Sequence, residues 1–167
     1  MGTKTPSKNS YLQVKMGTKT PSKTGDFNMS KNGRYAADRK KVATLTNAAT
    51  TTGTVAHCGT IFIATGASGT TTYVLPAIAE AGNGWWCKVV KSGAADAGGT
   101  IVINAHADDG SSCVVGIETS LTGVALAGEN ITMADGTDPG ALVEYICDGS
   151  QWLVHAVCST AADITIA

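Results

Sequence analysis

From Val42 onward, apolar residues alternate with polar ones in short runs, and Gly, Asn and Asp separate one run from the next. A period of two sends successive side chains to opposite faces of an extended chain, so each run predicts a half-buried β-strand. The runs lie near 42–46, 60–64, 71–75, 85–91, 99–104, 113–118, 121–126, 130–133, 141–147 and 151–157, with a last short one at 163–166. The one helix candidate is the brief segment PAIAEAG that starts at Pro76. Short strands with turn residues between them predict an all-β fold, a β-sandwich or jelly roll of roughly ten strands.

The last two runs alternate most cleanly. Leu142, Glu144 and Ile146 share one face while Val143, Tyr145 and Cys147 share the other. Beyond Asp148-Gly149-Ser150, the residues Trp152, Val154 and Ala156 oppose Leu153, His155 and Val157. Asp-Gly between two such runs is a strong hairpin signal. Trp152 stands just past the turn, where a large ring covers the end of the core and fixes the register.

The first 41 residues follow no such pattern. They hold an identical repeat, MGTKTPSK at 1–8 and again at 16–23, with Pro6, Pro21, Gly25 and Gly33 and few aliphatic residues. An offset of 15 residues is too short for a solenoid unit. It is either a duplicated docking peptide or a duplication at a translation start, since both copies begin with Met. A segment of this composition cannot bury a core of its own. Two regions follow: an extended arm over 1–41 and a β domain over 42–167. At roughly 3.3 Å per residue, about 40 extended residues reach on the order of 130 Å.

Charge sharpens that division. The chain has 167 residues and a net charge of −1, but ten of its twelve Lys and Arg lie within 1–41 against two acids, a net of +8. The remainder carries Lys88 and Lys91 against eleven acids, a net of −9. Lys4, Lys8, Lys15, Lys19, Lys23, Lys31, Arg34, Arg39, Lys40 and Lys41 are therefore the candidate partner-binding residues, suited to acidic surface. Nucleic acid is the weaker match for them. The arm's aromatic residues are only Tyr11, Phe27 and Tyr35, Arg39-Lys40-Lys41 is its one dense cluster, and the acidic domain repels phosphates.

The candidates for chemistry are sparse. Cys58, Cys87, Cys113, Cys147 and Cys158 form no CxxC pair, which argues against a zinc ribbon and predicts buried thiols acting as small apolar residues. His57, His106 and His155 are scattered without metal-site spacing. Asp108-Asp109 and Asp135 with Asp138 sit in DDGSS and DGTDPG, which read as turns rather than calcium loops. No nucleophile elbow such as GxSxG is present. The expectation is a protein that is not an enzyme and takes no cofactor or metal. With no run of about 18 apolar residues and no apolar segment behind the basic N-terminus, it is also expected to be soluble and made in a cytoplasm.

One set of motifs resembles a known family. Tyr73-Val-Leu-Pro76, then Ala-Ile-Ala-Glu-Ala-Gly and the aromatic strand Trp85-Trp86-Cys87, is similar to the TLP, Gly-rich turn and aromatic strand of bacteriophage head decoration (cement) proteins. Gly99-Thr-Ile-Val-Ile-Asn104, followed later by Glu144 to Val154 with Asp148-Gly149-Ser-Gln-Trp152, resembles their isolated strand and closing DGSxW hairpin. The resemblance covers about 42–167 and marks Pro76, Trp85, Trp86, Asp148, Gly149 and Trp152 as structural residues. It implies a virion protein on the capsid surface, assembled in the host cytoplasm, with its own copies as a homotrimer and the major capsid protein as partners. A tail-fibre or receptor-binding module, and an internal nucleic-acid-associated virion protein, are the alternatives.

Overall fold

Each alternating run becomes a strand over its described residues because its apolar positions find an opposing sheet to cover them, positions 121–123 of the run at 121–126 lying outside those residues. The computed structural model describes residues 40–94, 98–119, 124–160 and 162–167. Among them are twelve strands in two sheets and one short helix. The strands are β1 (Lys41–Thr44), β2 (Thr50–Thr52), β3 (Thr60–Ala64), β4 (Gly69–Val74), β5 (Trp86–Lys91), β6 (Gly99–Asn104), β7 (Val114–Thr119), β8 (Val124–Gly128), β9 (Asn130–Met133), β10 (Leu142–Cys147), β11 (Trp152–Val157) and β12 (Ile164–Ile166). The helix, α1 (Ile78–Ala81), is a single turn in the PAIAEAG segment.

The seven-stranded sheet runs β1-β3-β5-β10-β11-β7-β8 and the five-stranded sheet β12-β9-β6-β4-β2. The all-β sandwich expected from the sequence is thus what the chain forms. Its first half, however, is wound rather than folded into hairpins. The chain alternates between sheets from β1 to β6, so β1, β3 and β5 pair in parallel in one sheet, and β2, β4 and β6 pair in parallel in the other. Parallel neighbours need a long crossover, and here each crossover is itself a strand of the opposite sheet. The second half adds antiparallel pairs, β10 with β5 and β11, β7 with β8, and β9 with β6 and β12. β11 also pairs in parallel with β7. That approach requires glycine at 116, where a Cβ would collide with the Val154 carbonyl.

One core lies between the sheets. Phe62 and Ala64 of β3, Cys87 and Val89 of β5 and Val143, Tyr145 and Cys147 of β10 face Tyr73, Ile101, Ile103, Ile131 and Met133 of the smaller sheet. Phe62 and Tyr73 meet across the gap with ring centroids 4.4 Å apart. Burying a side chain of this size contributes about 1.5–3 kcal/mol, so the alternation alone suffices to choose which face turns inward.

Candidate interaction surface

The structural residues marked in the sequence gather at one end of the core. Trp152 is fully buried and packs edge-on to Trp85, centroids 5.3 Å apart, and to Tyr145 at 6.4 Å. Pro76 is buried just before α1. Asp148 closes the β10–β11 turn: one carboxylate oxygen accepts from the Ser150 amide and hydroxyl, both at 2.8 Å, and from the Gln151 amide at 2.9 Å. Those hydrogen bonds, the Ser150 amide's above all, hold its carboxyl below the ordinary aspartate range. Gly149 takes φ +92°, which costs a residue bearing a Cβ. The motif residues thus serve the hairpin and the core, with one exception.

Trp86 points outward. It pairs with Ile146 on β10 and lies under Lys40, whose Nζ sits 5.3 Å from the ring centroid. Together with Ile61, Lys88 and Glu144 these residues line a shallow groove of about 330 Å³ on the outer face of the seven-stranded sheet. Lys88 Nζ and Glu144 Oε1 are 3.2 Å apart. Lys41 is turned to the domain itself, donating to the Ala56 and Cys58 carbonyls at 3.3 and 3.4 Å. The other candidate cations, Lys4, Lys8, Lys15, Lys19, Lys23, Lys31, Arg34 and Arg39, lie outside the described residues.

Beyond the groove, strand register extends an apolar surface across the sheet. One row reads Val42, Ile61, Lys88, Glu144, His155 and Ile117. A second reads Trp86, Ile146, Leu153 and Val115. A third holds Ile63, Val90, Leu142 and Val157. Val42 is 65% exposed, Ile117 60%, Ile146 43% and Leu153 41%. A strand with apolar residues on both faces needs cover on both, whereas the period of two predicts these runs as half-buried. Only the register shows that the outward residues adjoin. The outer face of the smaller sheet is different in kind. Thr50, Thr72, Val102, Thr132 and Thr165 cross it in one row, offering hydroxyls to water.

Several titratable groups elsewhere are held in structural bonds. Asp135 Oδ1 accepts from the Gly98 and Gly99 amides at 2.6 and 3.1 Å. Lys91 is fully buried at the end of β5 and donates to the Ala134 and Asp135 carbonyls. Asp135 therefore ties the DGTDPG segment to the start of β6 and does not cap its own backbone as the turn reading expects, while Asp138 Oδ2 accepts from the Ser159 hydroxyl at 2.7 Å. His57 Nδ1 lies 3.3 Å from the Tyr73 hydroxyl, and the Thr54 amide donates to the same nitrogen. His106 Nδ1 accepts from the Asp108 amide at 3.2 Å. Among the described residues, no three His, Cys, Asp or Glu side chains converge as metal ligands would. No helix among them is long and apolar enough to cross a membrane. In comparison with known proteins, the chain matches no family model and no curated protein.

Proposed function

We propose that the protein is a structural subunit of a bacteriophage particle, not an enzyme, and that it decorates or cements the capsid as a homotrimer. The basic segment that precedes β1 acts as a strap to neighbouring subunits and to the major capsid protein, while Lys40 and Lys41, expected to belong to it, lie on the domain itself. The observation that carries this reading is the outer face of the seven-stranded sheet, a largely apolar surface crossing six strands around the Lys88–Glu144 pair. The motifs that resemble those of cement proteins support the reading, since Pro76, Trp85, Asp148, Gly149 and Trp152 gather at one end of the sandwich. Many modest contacts by the strap add to those of the docked domain, because the second contact becomes intramolecular once the first has formed.

A density map of the intact virion tests the proposal. The expected result is three-lobed density on the outer shell, each lobe accommodating the two-sheet domain. Density for the protein confined to the tail, or to the particle interior beside the genome, would overturn it.

A further inference from the structure

The three rows of outward residues cross six, four and four strands of the seven-stranded sheet, with strands about 4.8 Å apart and rows about 7 Å apart. The face is therefore roughly 30 Å by 20 Å at its widest, or about 500 Å² per copy. Two such faces together would bury on the order of 1,000 Å², the lower bound for a specific interface. Isolated exposed apolar residues need no explanation, but a contiguous patch of this size does.

We propose that this face is the surface through which copies of the chain associate. One face meeting the same face of a second copy pairs two copies, so this contact is independent of the threefold arrangement proposed above.

Charge decides the occupant. Lys88 and Glu144 stand on adjacent strands near the middle of the face and pair with each other at 3.2 Å. Each is about one third exposed or less in the single chain. A covering surface would meet an ion pair already balanced, and need supply no counter-charge for it. Such a face fits another apolar face with a balanced pair, which is what a second copy presents. Lys40 already lies over Trp86 on this face, and further cations would find a single carboxylate there, already held by Lys88. The face does not fit a strongly charged partner, which would leave its own charges dry and unpaired. Copies meeting here bring their sheets to about 10 Å, the spacing at which sheet faces interdigitate. Ile117, Leu153 and Ile146 are the residues that enter the partner's rows.

The experiment is the native mass of the full-length protein at micromolar concentration, by sedimentation or light scattering, in about 0.1 M and about 1 M salt. The expected wild-type result is an oligomer that persists at high salt, because apolar contact survives when charges are screened to about 3 Å. Ile117→Asp and Leu153→Asp, each tested alone, should weaken association at least about a hundredfold while keeping the wild-type thermal midpoint of the single chain. Thr165→Asp, on the threonine-lined face of the other sheet, should leave the mass unchanged. A monomeric wild type, an intact oligomer in both sheet-face variants, or dissociation by Thr165→Asp would each overturn the proposal. Ile117 is the more exposed of the two positions, so it carries the test if Leu153→Asp fails to fold. Self-association is measured without capsids. A protein that oligomerises as described yet fails to bind shells would contradict the decoration reading alone.

Discussion

Trp152 donates its indole N–H to one oxygen of Asp109 across 3.4 Å, while the other oxygen of that carboxylate accepts the Ile78 amide at 2.9 Å. A single side chain in the loop before β7 thereby joins the closing hairpin to the start of α1. Trp152→Ala removes the largest fully buried side chain and should cost about 3–5 kcal/mol in denaturant unfolding. Asp109→Ala leaves two donors without their acceptor and should cost about 1–3 kcal/mol. An unchanged unfolding midpoint in Trp152→Ala would show that the ring is peripheral to the core.

Two carboxylates contribute to stability against acid. Asp148 is held low by the hydrogen bonds from Ser150 and Gln151. For Asp163, burial pushes the carboxyl up, but hydrogen bonds from Ser159 and Thr160 and the charge of Lys91 outweigh it and hold the group below its ordinary value. A folded-state pKa below the unfolded one gives stability that is present above the unfolded pKa and lost as pH falls through the folded one. The protein should therefore be at full strength at neutral pH and weaken below about pH 4. The Asp148→Asn, Asp163→Asn double variant should show a flatter decline in thermal midpoint between about pH 5 and pH 2. An equally steep decline would assign acid sensitivity to other groups.

Thiol reactivity reports the core directly. Burial pushes the Cys87, Cys113 and Cys147 thiols up from their ordinary value, and the thiolate is the reactive form. Cys58 and Cys158 are half-buried. A disulfide reagent at neutral pH should label no more than two thiols promptly in the native protein and all five after denaturation. Prompt labelling of five in the native state would mean that the sandwich opens readily.

The sequence made the strands legible because one-face burial imposes a period of two that survives without any knowledge of partners. Leu142 to Val157 shows this best: every inward residue of the hairpin was separable from its outward neighbours by alternation, and Asp148-Gly149 marked the turn. β2 was missed because Thr50-Thr51-Thr52 between alanines and a glycine has no apolar contrast to reveal a face. The wound first half was missed for a different reason. Pairing Thr60 with Cys87, or Thr72 with Val102, depends on which strand arrives beside which, and no local signal encodes that choice. The same limit hid the interaction surface. Trp86 resembled its neighbour Trp85 in every local respect, yet one ring lies in the core and the other faces outward under Lys40. Asp109 looked like an ordinary turn residue, because its two partners are 31 and 43 positions away.

Binding to undecorated capsids tests the central claim most directly. Full-length protein and a form lacking residues 1–39 are mixed with shells, and occupancy is measured across a salt series. Exposed charges are screened within about 10 Å at 0.1 M and more tightly as salt rises. Full-length protein should fill the shell and lose occupancy as salt rises, while the truncated form should stay folded but bind more weakly and with a shallower salt dependence. Failure of the full-length protein to bind shells at any salt concentration would contradict that claim, as would truncation that changes neither occupancy nor salt dependence.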